Sequence, residues 1–203
     1  MKILKEIKDK EYPKDMSSLK IREVEDELLD VVDEKNVLTG KNALRSKIHS
    51  EGIWHRVVHI YLFRKNENGI EFLVHLRSLN KDLSPNCWDT RFGGHIKSGS
   101  TVEEGVRVEL KEEVGLDTKD YNVIEGTWYK RDGFPNREFT KVYYLEYRNN
   151  LSELVFSDGE VQEVKWMGSK DIKIAIEKNP EKWAANLDGF IDVLDYLMRK
   201  IQL

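Results

Sequence analysis

The chain has 203 residues, enough for one ordinary domain with terminal additions. Charged residues make up 34% and apolar ones 39%, the balance of a globular fold that faces water. A net charge of -4 argues against a surface built to coat nucleic acid, no apolar run reaches the roughly 20 residues of a membrane helix, and a lone cysteine, Cys87, excludes an internal disulfide.

The first residues, MKILKEIKDKEYPKD, lack the apolar core of a signal peptide, so with the single cysteine the expected location is the reducing cytoplasm. Residues 1–24 are highly charged and interrupted by Pro13, and read as a surface arm ahead of one domain spanning 25–203. A short strand is expected at Leu28 to Val32, a turn over Asp33 to Gly40, and a short helix over Ala43 to Ser50. Val57 to Phe63, VVHIYLF, is β-branched, aromatic and nearly continuously apolar, which predicts a central strand. A turn at Lys65 to Gly69 returns the chain through a second strand, Ile70 to Leu76. Arg77 to Thr90 has little periodicity and reads as a long loop, the kind of segment that often carries function.

Thr101 to Val114 carries an apolar stripe at Val102, Val106, Leu110 and Val114, and Gly115 fits a C-terminal cap. Ser100 to Glu103 has the spacing of a capping box. Further strands are expected at Val123 to Tyr129, Phe139 to Tyr147 and Val161 to Met167. A helical region broken near Pro180 follows from Ser169. Strands mixed with helices over one core define an α/β or α+β sandwich. The C-terminal helix is compatible with a homodimer or with packing on its own domain.

On the expected helix, Glu109, Glu112 and Glu113 stand at i, i+3 and i+4, so three carboxylates share one face and repel one another. A hard divalent cation relieves that repulsion. From spacing alone, a solvated acidic face is the commoner explanation.

The wider pattern tips the balance. Residues 94–116, GHIKSGSTVEEGVRVELKEEVGL, resemble the Nudix box: Gly, five residues, Glu, seven residues, Arg-Glu, an aliphatic, any residue, Glu-Glu, any residue, Gly, an aliphatic. Gly94, Glu109, Leu110, Glu112, Glu113, Gly115 and Leu116 match; Ser100 stands in place of the first Glu and Val108 in place of the Arg. Segments 30–59, 77–95 and 160–166 are similar to the branch that includes isopentenyl-diphosphate isomerase and its hydrolase relatives.

This resemblance implies a Nudix fold, a mixed sheet between helices, and hydrolysis of a phosphoanhydride in a nucleoside diphosphate derivative or another organic diphosphate. It implies Mg2+ or Mn2+ as cofactor, held by Glu109, Glu112 and Glu113. Glu112, Glu113, Glu138 and Glu160 are the candidates for activating water, Arg77 and Lys81 for gripping the diphosphate, and the bare backbone at Gly93 and Gly94 for close approach to substrate. In the isomerases, histidines at the positions of His55 and His95 bind a metal, and His49 lies one residue off a third. Of that pattern's paired glutamates only Glu138 survives, beside Asn136. Gly93 replaces the isomerase cysteine.

Two alternatives follow: a diphosphate-binding domain without turnover, prompted by Ser100 and Val108, and an isomerase-like enzyme. In the family the box Arg orients a metal-binding Glu. Val108 cannot do so, and Arg107, rotated about 100° around the helix, is expected to face Glu103 and Glu104.

Overall fold

The computed structural model describes residues 26–81, 83–156 and 159–202. The expected arm over 1–24 lies outside the described residues.

The first two elements form a hairpin, β1 (Leu28–Val32) and β2 (Leu38–Leu44). Its turn is closed by the Asp33 carboxylate, which accepts from the N–H groups of Lys35 (2.8 Å) and Val37 (2.9 Å). Two expectations are corrected here. The turn is shorter than 33–40, and residues 43–44 belong to β2, so the helix α1 is Arg45–Glu51. In β2, LTGKNAL, every residue but Ala43 is exposed, so backbone pairing with β1 holds it and no apolar alternation marks it.

A six-stranded sheet follows, built from β3 (His55–Asn66), β4 (Gly69–Arg77), β5 (Trp88–Asp89), β6 (Val123–Gly133), β7 (Asn136–Glu146) and β8 (Val161–Gly168). Its order is β5-β4-β3-β7-β6, with β8 also on β4. The β3–β7 pair is parallel and the other pairs are antiparallel, so the sheet is mixed, as expected.

Strand alternation divides the core in two. Val58, Ile60 and Leu62 of β3 pack with Val106, Leu110 and Val114 of helix α2 (Val102–Val114). Tyr61 and Phe63 pack on the opposite face with α3 (Ser169–Lys178) and α4 (Leu187–Lys200). The buried face of α4, Phe190, Val193, Leu194 and Leu197, is committed to its own sheet, and the Tyr144 hydroxyl donates to Val193 O (2.9 Å). Among the described residues no helix is long and apolar enough to cross a membrane.

Two local expectations around α2 are also corrected. The N-cap is Thr101 rather than Ser100: its hydroxyl accepts from Glu104 N–H (3.2 Å) while the Glu104 carboxylate accepts from Thr101 N–H (2.8 Å). The helix thus starts one residue later, and Ser100 is left in the loop. Arg107 reaches Asp117 beyond the helix end (3.7 Å) instead of Glu103 or Glu104.

The ladder between β3 and β4 covers Phe63 to Asn66, and the segment after β5 lies along the earlier part of β3. Ile60 and Phe92 exchange both main-chain hydrogen bonds (2.9 and 2.7 Å), and Val58 N–H donates to Gly94 O (2.9 Å). This brings the start of the acidic motif against the central strand.

Candidate active site

Gly93 is forced by that close approach. Its φ is +129°, and a Cβ there would stand 2.2 Å from Val58 O. A cysteine at this position would collide with backbone. Gly94 leaves space of another kind: a Cβ would lie 2.8 Å from one carboxylate oxygen of Glu109 and 3.1 Å from the other. The two glycines therefore form a bare ledge over α2.

Beneath the ledge the three helix carboxylates separate by depth. Glu109 is buried, 8% exposed. Glu113 is half-buried and accepts from Gly93 N–H (2.7 Å). Glu112 is exposed, with Lys97 Nζ 4.0 Å away. Burial pushes Glu109 up to about 8, helped by repulsion from Glu27 and Glu112 and opposed by Lys97. Burial also raises Glu113 well above the usual carboxylate range, against the pull of Lys81 and the Gly93 N–H. Sinking acids this deep is unfavourable in the charged form unless a proton or a cation neutralises them. A buried, a half-buried and an exposed carboxylate, all oxygen donors under an open ledge, fit a hard divalent ion.

The substrate-side candidates gather at the same end of the sheet. Lys81 is ion-paired with Glu160, and both act electrostatically on Glu113. Arg77 is engaged with its own loop: Nη2 donates to Leu83 O (2.9 Å), Nε to Ser84 O (3.3 Å), and Nη1 lies 3.6 Å from Asp89. Buried Asp89 in turn takes a two-pronged hydrogen bond from Arg91 (2.8 and 3.0 Å), a pairing that no motif marks. Burial would raise the Asp89 carboxyl, but Arg91 overcomes it and holds the group well below its usual range.

The histidines do assemble. His49 from α1, His55 at the start of β3 and His95 after the ledge each offer a ring nitrogen, all within 4.8 Å of one another. His55 Nδ1–H donates to Ile53 O (3.0 Å), which leaves Nε2 as the lone-pair nitrogen; that atom is buried and unpartnered. His95 Nε2 lies 3.2 Å from His49 Nε2. Burial lowers the pKa of both His55 and His95, keeping the rings in the neutral form that binds metals. Glu138 sits opposite His55 in the parallel ladder, 3.7 Å from Arg131. His49, one residue off the expected spacing, still reaches the group from the last turn of α1.

Two further residues link the acidic and histidine groups and were not foreseen. Glu27, just before β1, has one carboxylate oxygen 3.6 Å from His95 Nδ1 and the other 3.7 Å from Lys97 Nζ. No motif marks them; hairpin placement alone brings Glu27 in.

Comparison with known proteins shows the family and the fold. The NUDIX domain matches residues 53–190. An uncharacterized Nudix hydrolase of Clostridium acetobutylicum is 32% identical over 142 residues, 68% of each chain. An isopentenyl-diphosphate Delta-isomerase of Photobacterium profundum is 24% identical over 159 residues, 77% of this chain and 87% of its own. The crystal structure of a Deinococcus radiodurans protein superposes with a TM-score of 0.67 at 24% identity, covering 84% of this chain and 99% of that one. The chain belongs to the Nudix hydrolase family, in the branch that also holds isomerase-named relatives.

Proposed function

We propose that this enzyme hydrolyses a phosphoanhydride bond in an organic diphosphate, with Mg2+ or Mn2+ held by Glu109, Glu112 and Glu113. The observation that carries the reading is the pairing of buried Glu109 with half-buried Glu113 under the bare backbone of Gly93 and Gly94. A divalent ion at that place supplies charge neutralisation and Lewis acidity toward a phosphoryl oxygen. The chain's own groups do the rest. Gly93 N–H fixes Glu113. The Lys81–Glu160 pair opens to admit the diphosphate, so that Lys81 grips a phosphate and Glu160 is released toward the attacking water. Arg77 shapes the loop that carries Lys81 and turns part of its guanidinium to the same anion. The functional unit is residues 25–203.

A second ion at His49, His55 and His95 is favoured by one observation, the unpartnered buried Nε2 of His55. Three imidazoles with Glu138 nearby suit zinc or manganese. Isomerase chemistry is disfavoured, because position 93 has no room for the side chain that the isomerases use there.

The test is a screen of nucleoside diphosphate derivatives, dinucleoside polyphosphates and prenyl diphosphates under several metals, reading products by mass. Metal-dependent release of a phosphate-containing product, lost in Glu112→Gln and Glu113→Gln, is expected. Binding without turnover across the panel would instead make the protein a diphosphate-binding domain.

A further inference from the structure

The chain departs from its family's motif at Ser100 and Val108, and the fold brings these two positions together. They line one small pocket with His95, Lys97, Gly105 and Glu109. Neither can carry charge. The cation on this wall is Lys97, whose Nζ lies 3.7 Å from Glu27 and 4.0 Å from Glu112.

Lys97 is also well anchored for a surface lysine. Its backbone bridges to Leu29 of β1, and Ser98 N–H donates to Leu28 O (2.8 Å). Asp30 accepts from the Ser98 hydroxyl (2.6 Å) and from Gly99 N–H (3.0 Å). The hairpin therefore fixes the loop, and Glu27, at the hairpin's entry, holds the ammonium from one side. Glu112 meets it from the other. The Glu112 side chain is 59% exposed, so as a solvated carboxylate it would otherwise sample many rotamers. An ion pair this exposed adds little to stability. Its effect lies in direction, because Lys97 shares a pocket with Glu109 and draws Glu112 toward that side of the helix.

Resting on the reading of Glu109, Glu112 and Glu113 as ion ligands, we propose that Lys97, seated on Glu27, is a positioning residue that turns Glu112 toward Glu109, a charge pairing that Ser100 and Val108 cannot supply.

The test compares wild type with Lys97→Met, Lys97→Arg, Glu27→Gln and the double variant Glu27→Gln/Lys97→Met. Free Mn2+ is counted by its electron paramagnetic resonance signal with every protein carrying His55→Ala, so that the histidine group does not contribute, and turnover is followed on whichever substrate the screen yields. Lys97→Met is expected to weaken Mn2+ binding about tenfold and to lower kcat by about as much, with KM nearly unchanged. Lys97→Arg keeps both. Glu27→Gln repeats the loss, and the double variant is no worse than either single, because both act through one contact. Adding Ser100→Glu and Val108→Arg to Lys97→Met restores Mn2+ binding. Unchanged or tighter Mn2+ binding in Lys97→Met would make the lysine a merely repelling charge and overturn the proposal. Additive losses in the double variant would overturn the part given to Glu27. Failure of wild type to bind Mn2+ removes the ion-site reading itself, and this inference with it.

Discussion

The acidic group and the histidine group touch through Glu27 and Lys97, yet they are assembled in opposite ways. Glu109, Glu112 and Glu113 come from adjacent turns of one helix, so their mutual spacing is set by helical geometry. His49, His55 and His95 come from a helix, a strand and a loop, and exist as a group only once the sheet is complete. The donors differ too: oxygens that favour hard ions on one side, neutral nitrogens that favour borderline metals on the other. The local motif carries its spacing within one element, whereas the dispersed group depends on three elements being brought together.

The sharpest way to break this contrast is Glu113→Gln. It removes a carboxylate proposed as an ion ligand and leaves Gly93 N–H an amide oxygen. Turnover should fall about a hundredfold or more, while Co2+ bound at the histidines keeps its visible spectrum. A spectrum that changes with turnover would mean the two groups form one site. His55→Ala is the converse. It should abolish the Co2+ spectrum and reduce turnover about tenfold, which mass-detected kinetics would separate from complete loss.

Acidity provides an intermediate test. Glu109 has a folded-state pKa of about 8, raised first by burial. A raised carboxyl favours the folded protein while it is protonated. That contribution is full below the ordinary pKa of about 4.5 and is lost as pH climbs through about 8. The unfolding midpoint of metal-free protein should therefore fall from pH 5 to about 8, and Mg2+ or Glu109→Gln should flatten the decline. A flat profile in metal-free wild type would contradict the buried charge. The smallest effect is expected from Arg107→Ala. Arg107 sits on α2 but pairs with Asp117, away from either group. With a half-exposed pair, unfolding should shift by about 0.5 kcal/mol or less and turnover should not change.

What could be read from residues alone follows the same division. The acidic helix, its apolar stripe and the strands flanking it were legible because each is a repeat within one element. The cap was misplaced by one residue because Ser100 and Thr101 are chemically equivalent as caps, and only backbone direction chooses between them. Strand β2 was missed because its residues bury almost nothing. His55 and His95 were found through family likeness and His49 despite a shifted spacing, whereas Glu27, Lys97 and the Asp89–Arg91 pair were invisible. No local pattern encodes a partner 70 residues away, as Lys97 is from Glu27, and the Asp89–Arg91 pair, though close in sequence, reads as an ordinary surface pair until the fold buries Asp89.

The entry hairpin has a practical corollary. The family match begins at residue 53, but Glu27, Asp30 and His49 all precede it. A fragment trimmed to the recognised domain would retain every glutamate of the box while losing the clasp on its loop and one of three imidazoles. Cloning boundaries, affinity tags and fusion junctions chosen from the family limits would therefore yield an enzyme with its signature intact and its support cut away.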